Sequence, residues 1–292
     1  MTEPAEIVVL SGKGGTGKTS VAAAFADLSA DAVFCDADVD AANLSLVLSP
    51  EELERHPFIA STKAFVDPSK CVECGLCKEL CRFDAARPGK IDELSCEGCG
   101  LCSRVCPPGA IEMKPVVSGQ WFISSTEKGP LVHARLEPGE GNSGRLVALV
   151  RQKAREIAKN EARRLIITDG PPGIGCPVIA SLSSAKAAVL VAEPSLTAIH
   201  DLNRVLSVCE QFGVPAYCVI NKYDIHEDNS KQIEDLSGER FRVIGRIPFD
   251  EEVPRSMALG IPVTSRGGRA AESIKAIWDE VLGSVAGLPD TS

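Results

Sequence analysis

The sequence predicts an α/β protein with a mostly parallel sheet, helices on both faces, and a small inserted α+β module. Short apolar, β-branched runs alternate with amphipathic helical stretches, the pattern of strands buried on both faces. The first run leads directly into a glycine-rich loop and an alanine-rich helix. This alternation is interrupted by a segment dominated by turn residues and cysteines. We place the inserted module there, at residues 59–113.

The strands and helices of the larger domain follow from these runs. Strands are predicted at 6–10, 32–35, 165–168, 187–192, 216–220 and 242–247. The first helix runs to about Ala30, and others are expected near 146–160, 177–184, 196–212 and 268–285. A chain of 292 residues can hold one large α/β domain and a small module. We therefore assign 1–58 and 114–292 to the α/β domain.

Composition narrows the class of protein. Hydrophobic residues make up 44% and charged residues 24%, as in soluble globular proteins. No stretch approaches 18 apolar residues, and no basic segment followed by an apolar one opens the chain. We therefore predict a cytoplasmic protein without a membrane span or signal peptide. The net charge of −9 disfavours nucleic acid and anionic lipid as partners.

Residues 11–20 read Ser-Gly-Lys-Gly-Gly-Thr-Gly-Lys-Thr-Ser, a P-loop pattern between a strand and a helix. Glycines let backbone N–H groups surround phosphates without Cβ clashes. Lys18 adds charge toward the β- and γ-phosphates, and the Thr19 hydroxyl can bind Mg²⁺. A chance glycine turn is the alternative, which the flanking elements disfavour. The sequence thus predicts a P-loop NTPase-type domain that binds nucleotide through Gly12, Lys13, Gly14, Gly15, Thr16, Gly17, Lys18, Thr19 and Ser20.

Lys13 makes this loop resemble the deviant Walker A motif of the MinD/ParA/nitrogenase iron protein superfamily. In that family the extra lysine reaches the phosphates held by the partner in a nucleotide-sandwich dimer. The resemblance implies an ATPase, stimulated by a partner, that forms an ATP-dependent homodimer or a heterodimer with a paralogue. Lys13 would act in trans; a solvated lysine is the alternative.

Two further segments resemble the family's switch regions. Asp36-Ala37-Asp38, followed by Asn43-Leu44, resembles switch I, which implies that Asp38 positions the attacking water and Asp36 supports Mg²⁺. Residues 166–173, Ile-Ile-Thr-Asp-Gly-Pro-Pro-Gly, resemble Walker B with switch II and place Asp169 at Mg²⁺. A strand-end aspartate that only forms a turn is the alternative. The resemblance implies catalytic residues Lys13, Lys18, Asp38 and Asp169, and Mg²⁺ ligation by Thr19, Asp36 and Asp169.

The base-binding segments are predicted from the same resemblance. Asn221-Lys222 is similar to the family's adenine-recognition site, and Ile-Pro-Phe-Asp at 247–250 is similar to the segment that covers the base. We therefore expect Asn221, Pro248 and Asp250 to contact the nucleotide. Residues 221–224 also match the Asn-Lys-x-Asp pattern of GTPases. The loop that carries Lys13 favours ATP over GTP.

Eight of the twelve cysteines lie between Cys71 and Cys106, in two runs 25 residues apart. A secreted disulfide scaffold would be short and cysteine-rich throughout, so metal ligation is the better interpretation. Cys35, Cys209 and Cys218 lie in apolar surroundings and are predicted to be buried.

Each run has the bacterial ferredoxin spacing C-x2-C-x2-C-x3-C, in which the fourth cysteine serves the other cluster. This ferredoxin-like module is predicted to hold two [4Fe-4S] clusters, one on Cys71, Cys74, Cys77 and Cys106 and one on Cys96, Cys99, Cys102 and Cys81. Zinc is the alternative, but the spacing suits it poorly. Pro107 follows Cys106 as in ferredoxins, whereas Arg82 follows Cys81 where proline is usual.

The whole chain resembles MinD-superfamily ATPases with an inserted ferredoxin domain. That resemblance implies an ATP-gated dimer that couples nucleotide state to electron transfer or metallocluster handling, with a redox or metallocluster-binding protein as partner. Cys176 lies seven residues after Asp169, at the offset of a cluster ligand in the iron protein. Without a second cysteine at 108–174, a bridging cluster is not expected. Contact with a module cluster or with a partner's metal centre is the hypothesis for Cys176.

Two alternative functions stay open at this point. The first is a MinD/ParA-like spatial-positioning ATPase whose clusters sense redox state. Its C-terminal segment is acidic here, so the apolar face of Ile274, Ile277, Trp278, Val281, Leu282 and Val285 is expected to pack on the core, and no stable membrane association is expected. The second is an Fe–S assembly scaffold of the Mrp type, although the C-terminal Cys-x2-Cys of that family is missing.

Overall fold

The computed structural model describes residues 3–141, 143–238 and 240–286, so the ends of the predicted α/β domain at 1–2 and 287–292 lie outside it. The chain divides into two compact units. The first comprises Met1–Arg55, Trp121–Arg135 and Ser143–Ser292, and the second His56–Gln120 and Leu136–Asn142. All eight cysteines of the two runs belong to the second unit. Its identity as a ferredoxin domain stays a prediction.

The strands and helices alternate along most of the chain. The strands are β1 (Ala5–Ser11), β2 (Ala32–Asp36), β3 (Glu51–Val66), β4 (Ala86–Arg87), β5 (Lys90–Ile91), β6 (Ile111–Thr126), β7 (Gly129–Leu136), β8 (Leu165–Pro172), β9 (Ala187–Ala192), β10 (Ala216–Asn221) and β11 (Arg242–Ile247). The helices are α1 (Lys18–Leu28), α2 (Leu44–Leu48), α3 (Leu76–Leu80), α4 (Leu101–Val105), α5 (Ser143–Asn160), α6 (Cys176–Leu182), α7 (Leu196–Gln211), α8 (Glu227–Asp235), α9 (Glu252–Ala258), α10 (Val263–Arg266) and α11 (Arg269–Ala286), with a 3₁₀ turn at Tyr223–Ile225.

The main sheet has the order β11-β10-β9-β1-β8-β2-β7-β6-β3 within the described residues. Pairing is parallel from β11 through β10, β9, β1, β8 and β2 to β7. β1 lies in the middle of this parallel part. The predicted α/β class with a mostly parallel sheet is therefore confirmed.

Alternate residues of β1 face two different hydrophobic layers. Ile7 and Val9 pack with Phe25 of α1 and Trp278 of α11. Val8 and Leu10 pack with residues of α6 and α7. Helices thus cover both faces of the sheet, as the continuous apolar runs predicted.

Strands β3, β6 and β7 were not predicted from the sequence. β3 starts with five exposed residues, four of them charged, and contains Pro57. It lies at the edge of the sheet, where proline is tolerated because one side of the strand needs no ladder hydrogen bonds. The first half of β3 is polar, so the sequence shows no apolar pattern there that would predict a strand.

A buried ionic network joins β1 to α5 and α6. The guanidinium of Arg151 contacts the Glu6 carboxylate through Nε (2.6 Å) and Nη2 (2.9 Å), and the two side chains are 3% and 1% exposed. Arg155 and the hydroxyl of Thr168 also donate to Glu6. Arg151 donates in addition to the carbonyl oxygens of Ala180 and Ser183, at the end of α6. The network therefore fixes α6, the helix that follows β8.

The C-terminal helix packs on the core of the first unit. Of its predicted apolar face, five residues are at most 7% exposed, namely Ile274, Ile277, Trp278, Val281 and Val285. Leu282 is 40% exposed, so its assignment to that face was wrong. The Trp278 ring centroid lies 4.9 Å from that of Phe25. None of the helices in the described ranges is long and apolar enough to cross a bilayer.

Candidate functional site

Polar residues follow the carboxyl ends of the parallel strands and meet at one edge of the sheet, the usual ligand site of such sheets. The segment after β1 is the glycine loop. Asp36 and Asn221 are the last residues of β2 and β10, Asp169 lies in the second half of β8, and Glu193 directly follows β9. In the sheet register Asp36 is paired with Asp169.

Lys18, the first residue of α1, is buried among these carboxylates. Its Nζ lies 2.6 Å from Oδ1 of Asp169 and 3.4 Å from Oδ2 of Asp38. Although burial lowers the pKa of Lys18, Asp169 and Asp38 raise it above its usual value. Lys18 therefore stays protonated and compensates the negative charge of the site.

Asp36 holds the backbone of the segment that resembles switch I. Its Oδ1 accepts a hydrogen bond from the Asp38 amide (3.2 Å), and its Oδ2 accepts one from the Leu44 amide (2.9 Å) at the start of α2. Burial, with the nearby Asp169, raises the pKa of Asp36 well above its usual value. Burial also raises the pKa of Asp38, against the effect of Lys18. With both oxygens bonded to backbone, Asp36 is better placed to support a metal's ligands than to bind the metal directly.

The glycine loop is shaped for close approach. Gly17 has φ +92°, and a Cβ there would collide with Nδ2 of Asn221. That amide donates to the Thr16 carbonyl oxygen at 2.7 Å, so Asn221 supports the loop itself. Within the described ranges, buried Thr16 Oγ1 and Asp169 Oδ2 lack hydrogen-bond partners. These open acceptors, with the cation of Lys18, fit a magnesium–nucleotide complex.

Lys13 is paired inside its own chain. Its Nζ lies 2.7 Å from Oε1 of Glu193 and 3.2 Å from Oγ of Ser195. The other oxygen of Glu193 lies 3.5 Å from Nζ of Lys222. Partial burial raises the pKa of Glu193, but the hydrogen bond and charge of Lys13 outweigh it and bring the pKa below the usual value.

The two predicted base-binding segments are joined by Asp224, whose Oδ1 accepts a hydrogen bond from the Phe249 amide at 2.7 Å. Pro248 is buried. Asp250 accepts hydrogen bonds from the Glu252 amide (3.0 Å) and the Ala270 amide (3.1 Å), which lower its pKa. Asp250 thus anchors the starts of α9 and α11. Its contact with a base stays a prediction.

The second unit contains two small cavities of similar size, ≈ 20 Å³ each. Each is lined by three cysteines of one run and the fourth cysteine of the other. The first cavity is lined by Cys71, Cys74, Cys77 and Cys106, and the second by Cys96, Cys99, Cys102 and Cys81. This is the crossed grouping expected from the ferredoxin spacing.

The backbone repeats with the same 25-residue period. Positive φ occurs at Gly75 and Gly100, at Glu73 and Gly98, and at Asp84 and Gly109. The Ala110 amide lies 3.3 Å from the Cys106 sulfur. Burial raises the pKa of Cys81, but the amides of Phe83, Ala86 and Ala85 bring it below its usual value. Cys106 thus receives an N–H donor, and the amides near Cys81 favour its thiolate, which fits cluster ligation.

Among the described residues, no group of three or more His, Cys, Asp or Glu side chains is arranged to hold a single metal ion. Tetrahedral zinc would draw four thiolates to about 2.3 Å from one centre. A cubane instead binds each thiolate at a different iron, so its ligands stand further apart. Each cavity is lined by four cysteines, the number of thiolates that a [4Fe-4S] cluster takes.

The four remaining cysteines fall into two groups. Cys35, Cys209 and Cys218 are buried, as predicted, and burial raises the pKa of Cys209 and Cys218 to about 12. Cys176 is exposed at the start of α6. A Cβ at Gly144 would lie 3.3 Å from the Cys176 Cβ, so the start of α5 packs against it. The role of Cys176 stays a prediction.

The sequence analysis missed Glu193 and Ser195 as residues of the site. Their signal was a polar segment, Ala-Glu-Pro-Ser at 192–195, directly after a buried strand. Because carboxyl ends of parallel strands share one edge, that position alone could have placed Glu193 beside the glycine loop.

Comparison with known proteins agrees with this arrangement. The model of the CobQ/CobB/MinD/ParA nucleotide binding domain matches residues 7–263. An uncharacterized protein of Methanocaldococcus jannaschii is 31% identical over 94% of this chain and 96% of its own length. An uncharacterized ATP-binding protein of the same organism is 24% identical over 95% of this chain and 88% of its own. In fold, the chain is similar to the septum site-determining protein MinD of Pyrococcus horikoshii complexed with Mg-ADP, with TM-score 0.62, 20% identity and 98% coverage of both chains. The chain therefore belongs to the CobQ/CobB/MinD/ParA family and is a P-loop ATPase of the MinD/ParA type.

Proposed function

We propose that this ATPase is an ATP-gated dimer whose nucleotide state controls electron transfer or metallocluster handling by two [4Fe-4S] clusters in the second unit. The observation that carries the proposal is the sorting of eight cysteines into two cavities in the crossed ferredoxin pattern. A positioning ATPase without clusters has no need of that arrangement, whereas an electron carrier does.

On the ATP side, each residue has a role that follows from its contacts. When ATP binds, Lys18 would exchange the Asp169 carboxylate for phosphate oxygens, and Asp169 would be among the residues that hold Mg²⁺. Thr19, at the start of α1, supplies the hydroxyl for Mg²⁺. Asp38 orients the attacking water. Asp36 keeps switch I in place through the Leu44 amide.

The contacts of Asp224 support ATP rather than GTP. In the GTPase pattern this aspartate accepts hydrogen bonds from guanine. Here one of its oxygens already accepts the Phe249 amide at 2.7 Å. The amide nitrogen of Asn221 likewise donates to the Thr16 carbonyl oxygen. Since only the nitrogen of this amide is used, we assign adenine recognition to the amide oxygen of Asn221, with Pro248 and Asp250 in the covering segment.

On the cluster side, the clusters supply one-electron transfer when bound. The eight cysteines hold them, the amides near Cys81 stabilise its thiolate, and Cys106 accepts the Ala110 amide. Arg82 follows Cys81 where ferredoxins have proline. We expect the cluster that Cys81 serves to differ from the other in solvent access or potential.

The proposal is tested by ATP turnover of anaerobically purified protein, dithionite-reduced or oxidised, after iron and sulfide analysis and EPR confirm loading. We expect about eight iron atoms per chain, from two [4Fe-4S] clusters, and turnover that depends on cluster oxidation state. Equal turnover in both states would contradict coupling. Iron at no more than one atom per cavity would contradict the clusters themselves.

A positioning ATPase is the second candidate, favoured by the fold similarity to MinD. The apolar face of α11 packs on the core, so this candidate requires another membrane-binding segment. ATP-dependent co-sedimentation with anionic vesicles would support it. An assembly scaffold is distinguished from both by release of cluster iron to an apo-acceptor. A Cys176→Ser variant with unchanged iron content and turnover would exclude a role for Cys176 in any of them.

A further inference from the structure

The ammonium of Lys13 is already occupied by residues of its own chain. Glu193 and Ser195 lie 2.7 and 3.2 Å from its Nζ. The Lys13 side chain is 31% exposed and the Glu193 side chain 23%. An ion pair this far withdrawn from solvent is only partly screened by water.

We propose that Glu193 is a positioning residue that holds Lys13 in the nucleotide-free monomer, and that the dimer forms as Lys13 leaves it. This inference rests on the proposed function, in which Lys13 contacts phosphates bound by the partner subunit. Lys13 must then exchange its own chain's carboxylate for oxygens on another chain. Breaking the ion pair between Lys13 and Glu193 makes dimerisation less favourable. The sequence motif alone gives no sign of this cost.

The acceptors are held firmly in position. Ser195 caps α7, since its Oγ also accepts the Ala198 amide at 3.3 Å. In the same helix Asp201 packs against the glycine loop, where a Cβ at Gly12 would lie 2.5 Å from the Asp201 Cβ. The segment after β9 thus supports the loop from the side on which Lys13 is held.

Lys222 lowers the cost of releasing Lys13 from Glu193. Its Nζ lies 3.5 Å from the second oxygen of Glu193. When Lys13 leaves, Glu193 keeps a cation nearby, so no unpaired carboxylate remains. Lys222 follows Asn221 of the base site, which places Glu193 between the phosphate and base segments.

The effect of Glu193→Gln can be bounded. A partly exposed ion pair changes an equilibrium by up to about fivefold, and two are broken for each dimer. We therefore expect the dissociation constant of the dimer to fall by about 2- to 25-fold. Damage to the fold would weaken the dimer instead, so tighter association separates positioning from a structural role.

The test is sedimentation velocity of the full, cluster-loaded chain under argon with Mg²⁺ and a non-hydrolysable ATP analogue. Glu193→Gln and Glu193→Ala are compared with wild type and with Glu156→Gln, which removes a surface carboxylate 2.7 Å from Lys153 Nζ. Tighter dimers in both Glu193 variants, and not in Glu156→Gln, would support the proposal. If all variants form dimers and the dissociation constants of the Glu193 variants lie within twofold of wild type, this inference alone is overturned. The same holds if the Glu193 variants form weaker dimers than wild type. A wild type that stays monomeric overturns the dimer of the proposed function and this inference with it.

Discussion

Replacing Lys18 with methionine is expected to destabilise the nucleotide-free protein as well as to prevent phosphate binding. Lys18 is 6% exposed and lies against Asp169, which is fully buried, and Asp38. Methionine fills a similar volume but leaves the carboxylates without a cation. Removing one partner of a buried ion pair costs about 3–5 kcal/mol. For a domain of this size that corresponds to a melting temperature lower by about 6–20 °C.

The loss should depend on pH. The pKa values of Asp36 and Asp38 are already raised in the folded protein, first by burial, and the variant loses the opposing effect of Lys18. A carboxyl group with a raised folded pKa stabilises the fold below its unfolded pKa, and this contribution is lost as pH rises through the folded value. The difference between variant and wild type is therefore expected to be largest near pH 8 and smaller near pH 5.

Tryptophan fluorescence is a suitable measurement, because both tryptophans, Trp121 and Trp278, belong to the first unit. Lys159→Met, which removes an exposed pair with Glu3, is the control and should melt close to wild type. Adding Asp169→Asn to Lys18→Met should recover part of the lost stability. A Lys18→Met protein as stable as wild type from pH 5 to pH 8 would refute the charge-compensating role of Lys18.

Two other predictions concern the loop and the buried network. Gly17→Ala should lose ATP binding, measured by calorimetry, because φ is +92° and the new Cβ meets Asn221; Gly14→Ala, where the Cβ has open space, should keep wild-type thermal stability. Unchanged binding by Gly17→Ala would contradict the geometry of the loop. Arg151→Met should cost about 3–5 kcal/mol in urea unfolding by leaving Glu6 buried without its main partner. The double variant Arg151→Met with Glu6→Gln is expected to lose less stability than the sum of the two single variants. Additive losses would argue against coupling between Arg151 and Glu6.

The parallel core of the fold was predictable because its strands are continuous apolar runs. β1, β2, β8, β9 and β10 are nearly fully buried, so hydrophobicity alone marks them. β3 and β6 are mixed in burial along 16 residues each, and their polar halves resemble loops. The partner of Glu6 could not be predicted. Glu6 begins the first apolar run, and only the fold shows that Arg151, 145 positions away, neutralises it.

The site was predictable where chemistry demands particular residues at fixed spacing. The glycine loop needs Gly17 and Lys18 in order, and a cluster needs three close thiolates from one run, so both motifs could be recognised in the sequence; the clusters themselves stay a prediction. Contacts between distant segments had no such signature. Glu193 faces Lys13 across 180 positions, and Asp224 receives the amide of a residue 25 positions away. Those pairings depend on which strands are neighbours.

The crossed grouping of cysteines has a consequence for how this module could have arisen. Cys106 completes the cavity of the first run, and Cys81 completes that of the second. A single ancestral run would have held three ligands for its own cavity and offered its fourth to a second copy. Two such peptides would have exchanged ends, as in a swapped dimer. Because each cavity takes cysteines from both runs, deleting either run from the present chain would remove ligands from both cavities rather than leave one intact.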